Sequence, residues 1–186
     1  MIKKFVTVLA AVATVGFSAA SANVITIDDG LGTIECTTSC EAFTGAGGNG
    51  AQPTGAGTLS STFADYYDGT PSNEASEAER LSILISGSAG LFAGTDGTQI
   101  AGNSGSMMFS TLAEYVVLKI GNVAVFIKNT SGGSLNIDFT SFAGAGSGLS
   151  HFTEFGQVSD VPLPAAAWLM IAGLGGLGFA GRRKNA

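Results

Sequence analysis

Two runs rich in strand-forming residues, Tyr115-Val116-Val117-Leu118-Lys119-Ile120 and Val123-Ala124-Val125-Phe126-Ile127-Lys128, are separated only by Gly121-Asn122. β-Branched and aromatic side chains favour extended backbone, and a two-residue link containing glycine is a strong short-range hairpin signal. Val116, Leu118 and Ile120 fall on one face of the first run, and Tyr115, Val117 and Lys119 on the other. Asn129-Thr130-Ser131-Gly132-Gly133 makes another tight connection, after which Leu135, Ile137 and Phe139 point one way.

The rest of the middle reads in the same way. Strands are expected at residues 24–27, 31–35, 59–67, 81–86, 91–94, 98–101, 107–111, 134–139 and 149–155. The 28 glycines in 186 residues argue against a helical bundle, since each costs about 1 kcal/mol relative to alanine inside a helix. One short helix is expected over residues 72–81, where Ser72 caps, acids fill the first turns, and Ser76 with Glu79 offers a second capping box. Packed over a sheet edge, it completes an all-β fold, an antiparallel β-sandwich of jelly-roll-like form with one short helix.

Few residues carry chemistry. Gly45-Ala46-Gly47-Gly48-Asn49-Gly50 formally matches G-x-G-x-x-G, but Gln52-Pro53-Thr54-Gly55 follows where a dinucleotide site needs a helix N-terminus, so a loop is expected. Asp65, Asp68, Asn73, Glu74, Glu77 and Glu79 supply the oxygens that calcium favours. They lack EF-hand spacing, and glutamates at helix-surface intervals read as a solvated face. No metal or other cofactor is therefore expected. His151, the only histidine, shares a strand face with Thr153 and Phe155. No G-x-S-x-G accompanies it, so the expectation is a strand histidine satisfied by a neighbour and no catalytic residue.

The N-terminus reads as an export signal. Met1-Ile2-Lys3-Lys4 is a short positive region, residues 5–17 are apolar, and Ala20-Ser21-Ala22 offers a cleavage site before Asn23. The apolar run is shorter than the roughly 20 residues of a membrane span, which favours cleavage over an anchor. In an oxidising compartment Cys36 and Cys40, the only cysteines, are most simply a small disulfide. Zinc would need two further ligands, and a redox pair usually has two intervening residues rather than three.

Charge excludes one class of partner. Residues 23–160 hold all 14 acids against Arg80, Lys119 and Lys128, a net charge of −11. Such a surface repels phosphate, so no nucleic acid is expected as a partner.

The other end carries Asp160-Val161-Pro162-Leu163-Pro164-Ala165, an apolar run over 165–181, and the basic stop Arg182-Arg183-Lys184. As a transmembrane helix, 17 residues reach about 26 Å, slightly short of a hydrocarbon core of about 30 Å. Trp168 suits the outer interface and the basic end the cytoplasmic side. Val161-Pro162-Leu163-Pro164-Ala165, the Trp168-bearing helix and the basic cluster together resemble the VPLPA-CTERM sorting signal, a variant of the PEP-CTERM signals of Gram-negative bacteria. Leu163 departs from the Pro-Glu-Pro form. The resemblance implies recognition by an exosortase, a membrane-embedded transpeptidase-like enzyme, and release or transfer of the mature part toward the cell surface, often in bacteria that make exopolysaccharide.

The middle also resembles small PEP-CTERM ectodomains in its Asn73-Glu74 helix, its Tyr115-to-Lys128 hairpin and Gly148-Leu149-Ser150-His151-Phe152-Thr153-Glu154-Phe155-Gly156. That likeness implies an all-β sandwich and a structural role for His151. Three segments are thus expected: a signal peptide over 1–22, an ectodomain over 23–159 and a sorting signal over 160–186. The expected protein is a non-enzymatic surface or extracellular-matrix protein, first anchored in the inner membrane with a periplasmic ectodomain and then at the cell surface or outside. The alternative is an exopolysaccharide-associated carbohydrate-binding module, with Tyr66, Tyr67 and Tyr115 as its ligand aromatics.

Overall fold

The structure is a computed structural model that describes residues 22–94, 96–102, 105–142 and 148–156. The expected signal peptide and sorting tail lie outside the described residues, save Ala22. The elements run β1 (Asn23–Ile27), β2 (Gly32–Cys36), β3 (Cys40–Thr44), β4 (Thr58–Ser60), β5 (Phe63–Ala64), β6 (Tyr67–Asp68), α1 (Glu74–Ser86), β7 (Gly97–Ala101), β8 (Met107–Thr111), β9 (Tyr115–Ile120), β10 (Val123–Asn129), β11 (Leu135–Ser141) and β12 (Leu149–Phe155). A five-stranded sheet has the order β5-β1-β2-β11-β8. A seven-stranded sheet has the order β4-β3-β10-β9-β12-β7, with β6 added beside β10. The pairings are antiparallel apart from a two-residue parallel contact of β1 with β5.

The hairpin forms in the expected register, from Val123 opposite Ile120 to Lys128 opposite Tyr115. All six residues of β9 are buried, because both of its faces are covered. Val116, Leu118, Ile120, Val125 and Ile127 join Ile25, Ile34, Ile137 and Phe139 of the five-stranded sheet in one apolar cluster. On the opposite face Val117, Phe126 and Phe155 pack with Ala78, Leu81 and Leu84 of α1 in a second. Each large aliphatic side chain removed from water in this way contributes about 1.5–3 kcal/mol.

The helix differs most from expectation. It begins at Glu74 and continues to Ser86, absorbing the strand expected at 81–86. Ala78, Leu81 and Leu84 lie on one helical face, so tertiary burial overrides the β-propensity of Ile83 and Ile85. Asn73 rather than Ser72 is the cap, its Oδ1 accepting the Ser76 N–H at 2.9 Å. Gly87, at φ 80°, ends the helix in the left-handed conformation that glycine adopts without strain. The helix covers the face of the seven-stranded sheet and not merely an edge, since its apolar cluster includes residues of β3, β9, β10 and β12.

Three further expectations change. The strand over 59–67 breaks into β4, β5 and β6 around bends, and residues 91–94 form no strand. β3, hidden in the sequence by the Thr/Ser-rich stretch before it, pairs with β10 through Cys40 opposite Asn129.

Candidate functional site

Beneath α1 the sheet buries polar groups instead of only apolar ones. Glu77 is fully buried, not on a solvated face. His151 Nε2 donates to its Oε1 at 2.8 Å and Thr153 Oγ1 donates to its Oε2 at 2.5 Å. A carboxylate can only accept, which fixes the Nε2 proton on His151. Between Leu149 and His151 the register of β12 on β9 shifts, placing Leu149 in the cluster between the sheets and turning His151 toward the helix. His151 and Thr153 are themselves buried, so the triplet fastens α1 to β12.

Two cations flank it. Lys119 is buried and donates to the Gly121 carbonyl. Burial pushes its ammonium below the ordinary lysine value, with Arg80 acting the same way and Glu77 and Asp68 opposing. Arg80 donates through Nε to Gln52 Oε1 at 2.8 Å, through Nη1 to the Pro71 carbonyl at 3.1 Å and through Nη2 to that of Thr70 at 2.7 Å. Its guanidinium therefore ties α1 to the preceding loop.

The structure gives four of the six calcium candidates separate tasks. Asp65 accepts the Gly45 N–H, Asp68 accepts from Thr70 and Gln52, Asn73 caps α1, and Glu77 holds His151 and Thr153. Thr70, followed by Gln52 and Arg80, keeps the Asp68 carboxyl below its ordinary range. Among the described residues no group of three or more His, Cys, Asp or Glu is placed to hold a metal ion.

The tyrosines do not form one exposed ring platform. Tyr67 is fully buried and donates to the Gly45 carbonyl at 2.8 Å, and Tyr115 is buried in the cluster under α1. Burial raises both phenols, Tyr115 to about 12. Tyr66 is half-buried, and its hydroxyl donates to Asp29, which raises its pKa. Two open clefts of about 380 and 320 Å³, one beside Arg80 and Pro71 and the other between Thr111 and Glu154, have no aromatic ring in their linings.

The end of the molecule where the chain enters and leaves is built differently. Asn23, the expected first residue after signal cleavage, opens β1, and its Nδ2 donates to the carbonyls of Cys40 and Ser61, both at 2.9 Å. Cys36 closes β2, Cys40 opens β3, and their sulfurs lie at disulfide distance across the step from one sheet to the other, with Cα atoms 6.1 Å apart. From here a seam of hydrogen bonds, the first to the Asn23 side chain and the rest between main-chain groups, crosses to the other exit. Cys40 N donates to Asn23 Oδ1 at 3.3 Å, Thr130 N to Ser39 O at 3.1 Å, Asn129 N to Glu114 O at 2.8 Å and Glu114 N to Gly156 O at 3.3 Å. Asn129 also donates through Nδ2 to the carbonyls of Ala113 and Gly133, so two inter-sheet loops meet at one amide. Both exits therefore occupy the same end, opposite the Gly121-Asn122 turn.

The expected sites at Ala20, Val161, Pro162, Leu163, Pro164, Ala165, Arg182, Arg183 and Lys184 lie outside the described residues. Among the described residues no helix is long and apolar enough to cross a membrane. Comparison with known proteins bears on the tail: residues 160–184 match the PEP-CTERM protein-sorting motif. That motif implies export and membrane-associated processing by an exosortase-type enzyme. No curated protein and no solved structure matches the chain.

Proposed function

We propose that this chain is a non-enzymatic surface or extracellular-matrix protein, exported by a cleaved N-terminal signal and sorted through a VPLPA-type tail by an exosortase-type enzyme. The observation that carries this reading is the sorting motif at 160–184, which begins just after the last described residue, Gly156, of a β-rich module. An X-Pro-X-Pro segment disfavours helix and presents extended backbone to a cutting enzyme. In the precursor the ectodomain faces the periplasm and the tail holds it in the inner membrane. After the cut it resides at the cell surface or outside the cell.

We read the two sheets with the apolar cluster between them as a β-sandwich. The buried Glu77-His151-Thr153 triplet supports a structural module over a hydrolase, because a general base must reach its substrate. Burial of Tyr67 and Tyr115 removes two of the rings that a sugar-binding face would use.

Replacing both Pro162 and Pro164 with alanine should leave full-length protein in the inner-membrane fraction, at least tenfold above the unaltered chain on an immunoblot. Normal conversion of that double variant would overturn the reading.

A further inference from the structure

The seam that joins Asn23 to Gly156 places both exits on one end of the ectodomain. The sheet registers agree. Asn23 lies opposite Cys36, Cys40 opposite Asn129, Lys128 opposite Tyr115, and Tyr115 opposite Phe155. The loops at this end carry Thr37, Thr38 and Ser39 on one side and Ser131, Gly132 and Gly133 on the other, and none of these six side chains is charged. A third loop at this end carries Glu114, whose N–H donates to the Gly156 carbonyl at 3.3 Å. The match to the sorting motif begins at Asp160, and only residues 157–159 lie between it and Gly156. Even fully extended, the six steps from Gly156 to Pro162 span at most about 22 Å. That is less than the thickness of a small folded domain.

We propose that this end is a docking face for the sorting enzyme itself, so that the enzyme cuts the tail while in contact with the neutral loops around residues 37–39 and 131–133. The inference rests on the sorting reading above and adds the surface that the enzyme meets. An enzyme gripping an extended segment around Pro162 cannot stand clear of a body tethered so closely. The disulfide between Cys36 and Cys40 and the Asn129 amide hold the two loops in place. The occupant is a protein rather than the lipid surface because anionic headgroups would repel a domain of this charge, and the neutral loops offer them no cationic partner.

The test uses the full chain in its own cells and follows conversion of precursor to mature protein in a pulse-chase. One variant carries a ten-residue polar epitope between Ser131 and Gly132, and a second carries the same epitope between Gly121 and Asn122 at the opposite end. A third combines the first insertion with a flexible twelve-residue Gly/Ser spacer after Gly156. The expected result is conversion slowed at least fivefold by the first insertion, unchanged by the second, and returned to within twofold of normal by the spacer. Conversion of the first variant at the normal rate would refute the docking face while leaving sorting intact. So would slowing that the spacer does not relieve, because misfolding would then account for it. If the Pro162 and Pro164 double variant is itself processed normally, the sorting reading fails first and takes this one with it.

Discussion

At the scale of single residues, the buried hydrogen bonds of Glu77 are the sharpest dependency. Glu77→Ala strands the His151 Nε2–H and the Thr153 hydroxyl without an acceptor. Leaving two buried donors unmet costs about 1–3 kcal/mol each, so a loss of about 3 kcal/mol is expected in urea unfolding. A variant within 0.5 kcal/mol of the parent would show that water reaches the site. Tyrosine ionisation gives the pH dependence. Burial raises the folded-state phenols of Tyr67 and Tyr115 above the ordinary value of 10, Tyr115 to about 12. In the unfolded chain both lose their protons near pH 10, while the folded chain retains them. The stability present below pH 10 is therefore lost as pH rises toward 12. Unfolding midpoints measured from pH 8 to 12 should fall over that window, and less steeply in Tyr115→Phe; a flat profile would contradict the burial. That His151 lies on a strand and is satisfied by a neighbour was legible in the sequence. Its partner was not, because Glu77 lies 74 residues away and its acidity reads as surface.

At the scale of elements, the hairpin was legible and the helix only half so. β9 and β10 carry their own turn and propensity, so local sequence suffices. The second half of α1, Leu81-Ser82-Ile83-Leu84-Ile85, reads as strand by propensity, and only its spacing with Ala78 marks the buried face. Gly87 was the available stop signal. β3 was obscured because its pairing comes from β10, distant in sequence. Since α1 is held by packing more than by its cap, Leu81→Ala should cost about 2–5 kcal/mol and Asn73→Ala about 1 kcal/mol. Thermal melts that rank the two the other way would mean that α1 is loosely docked.

At the scale of the whole molecule, the chain enters at Asn23 and leaves at Gly156 on one end of the ectodomain, where the expected cuts would fall. Intact-mass measurement of the mature protein from cells should give a chain beginning at Asn23, lacking the apolar tail, and two hydrogens lighter than its reduced form. A mass retaining residues 1–22 would exclude cleavage before β1. A thiol-reactive reagent that labels Cys36 in the unreduced protein would exclude the bridge. The tail was the most legible part of the chain because its motif is local, whereas the ectodomain's sheet order depends on partners scattered across the sequence. Sheet order has one more consequence. β12, the last strand among the described residues, sits between β9 and β7 rather than at an edge. A chain interrupted before Leu149 would leave the long side of β9 open and β7 without a neighbour, so the core cannot close until β12 has been made. Truncated products would then remain protease-sensitive, and cells would clear them before they reached the sorting step.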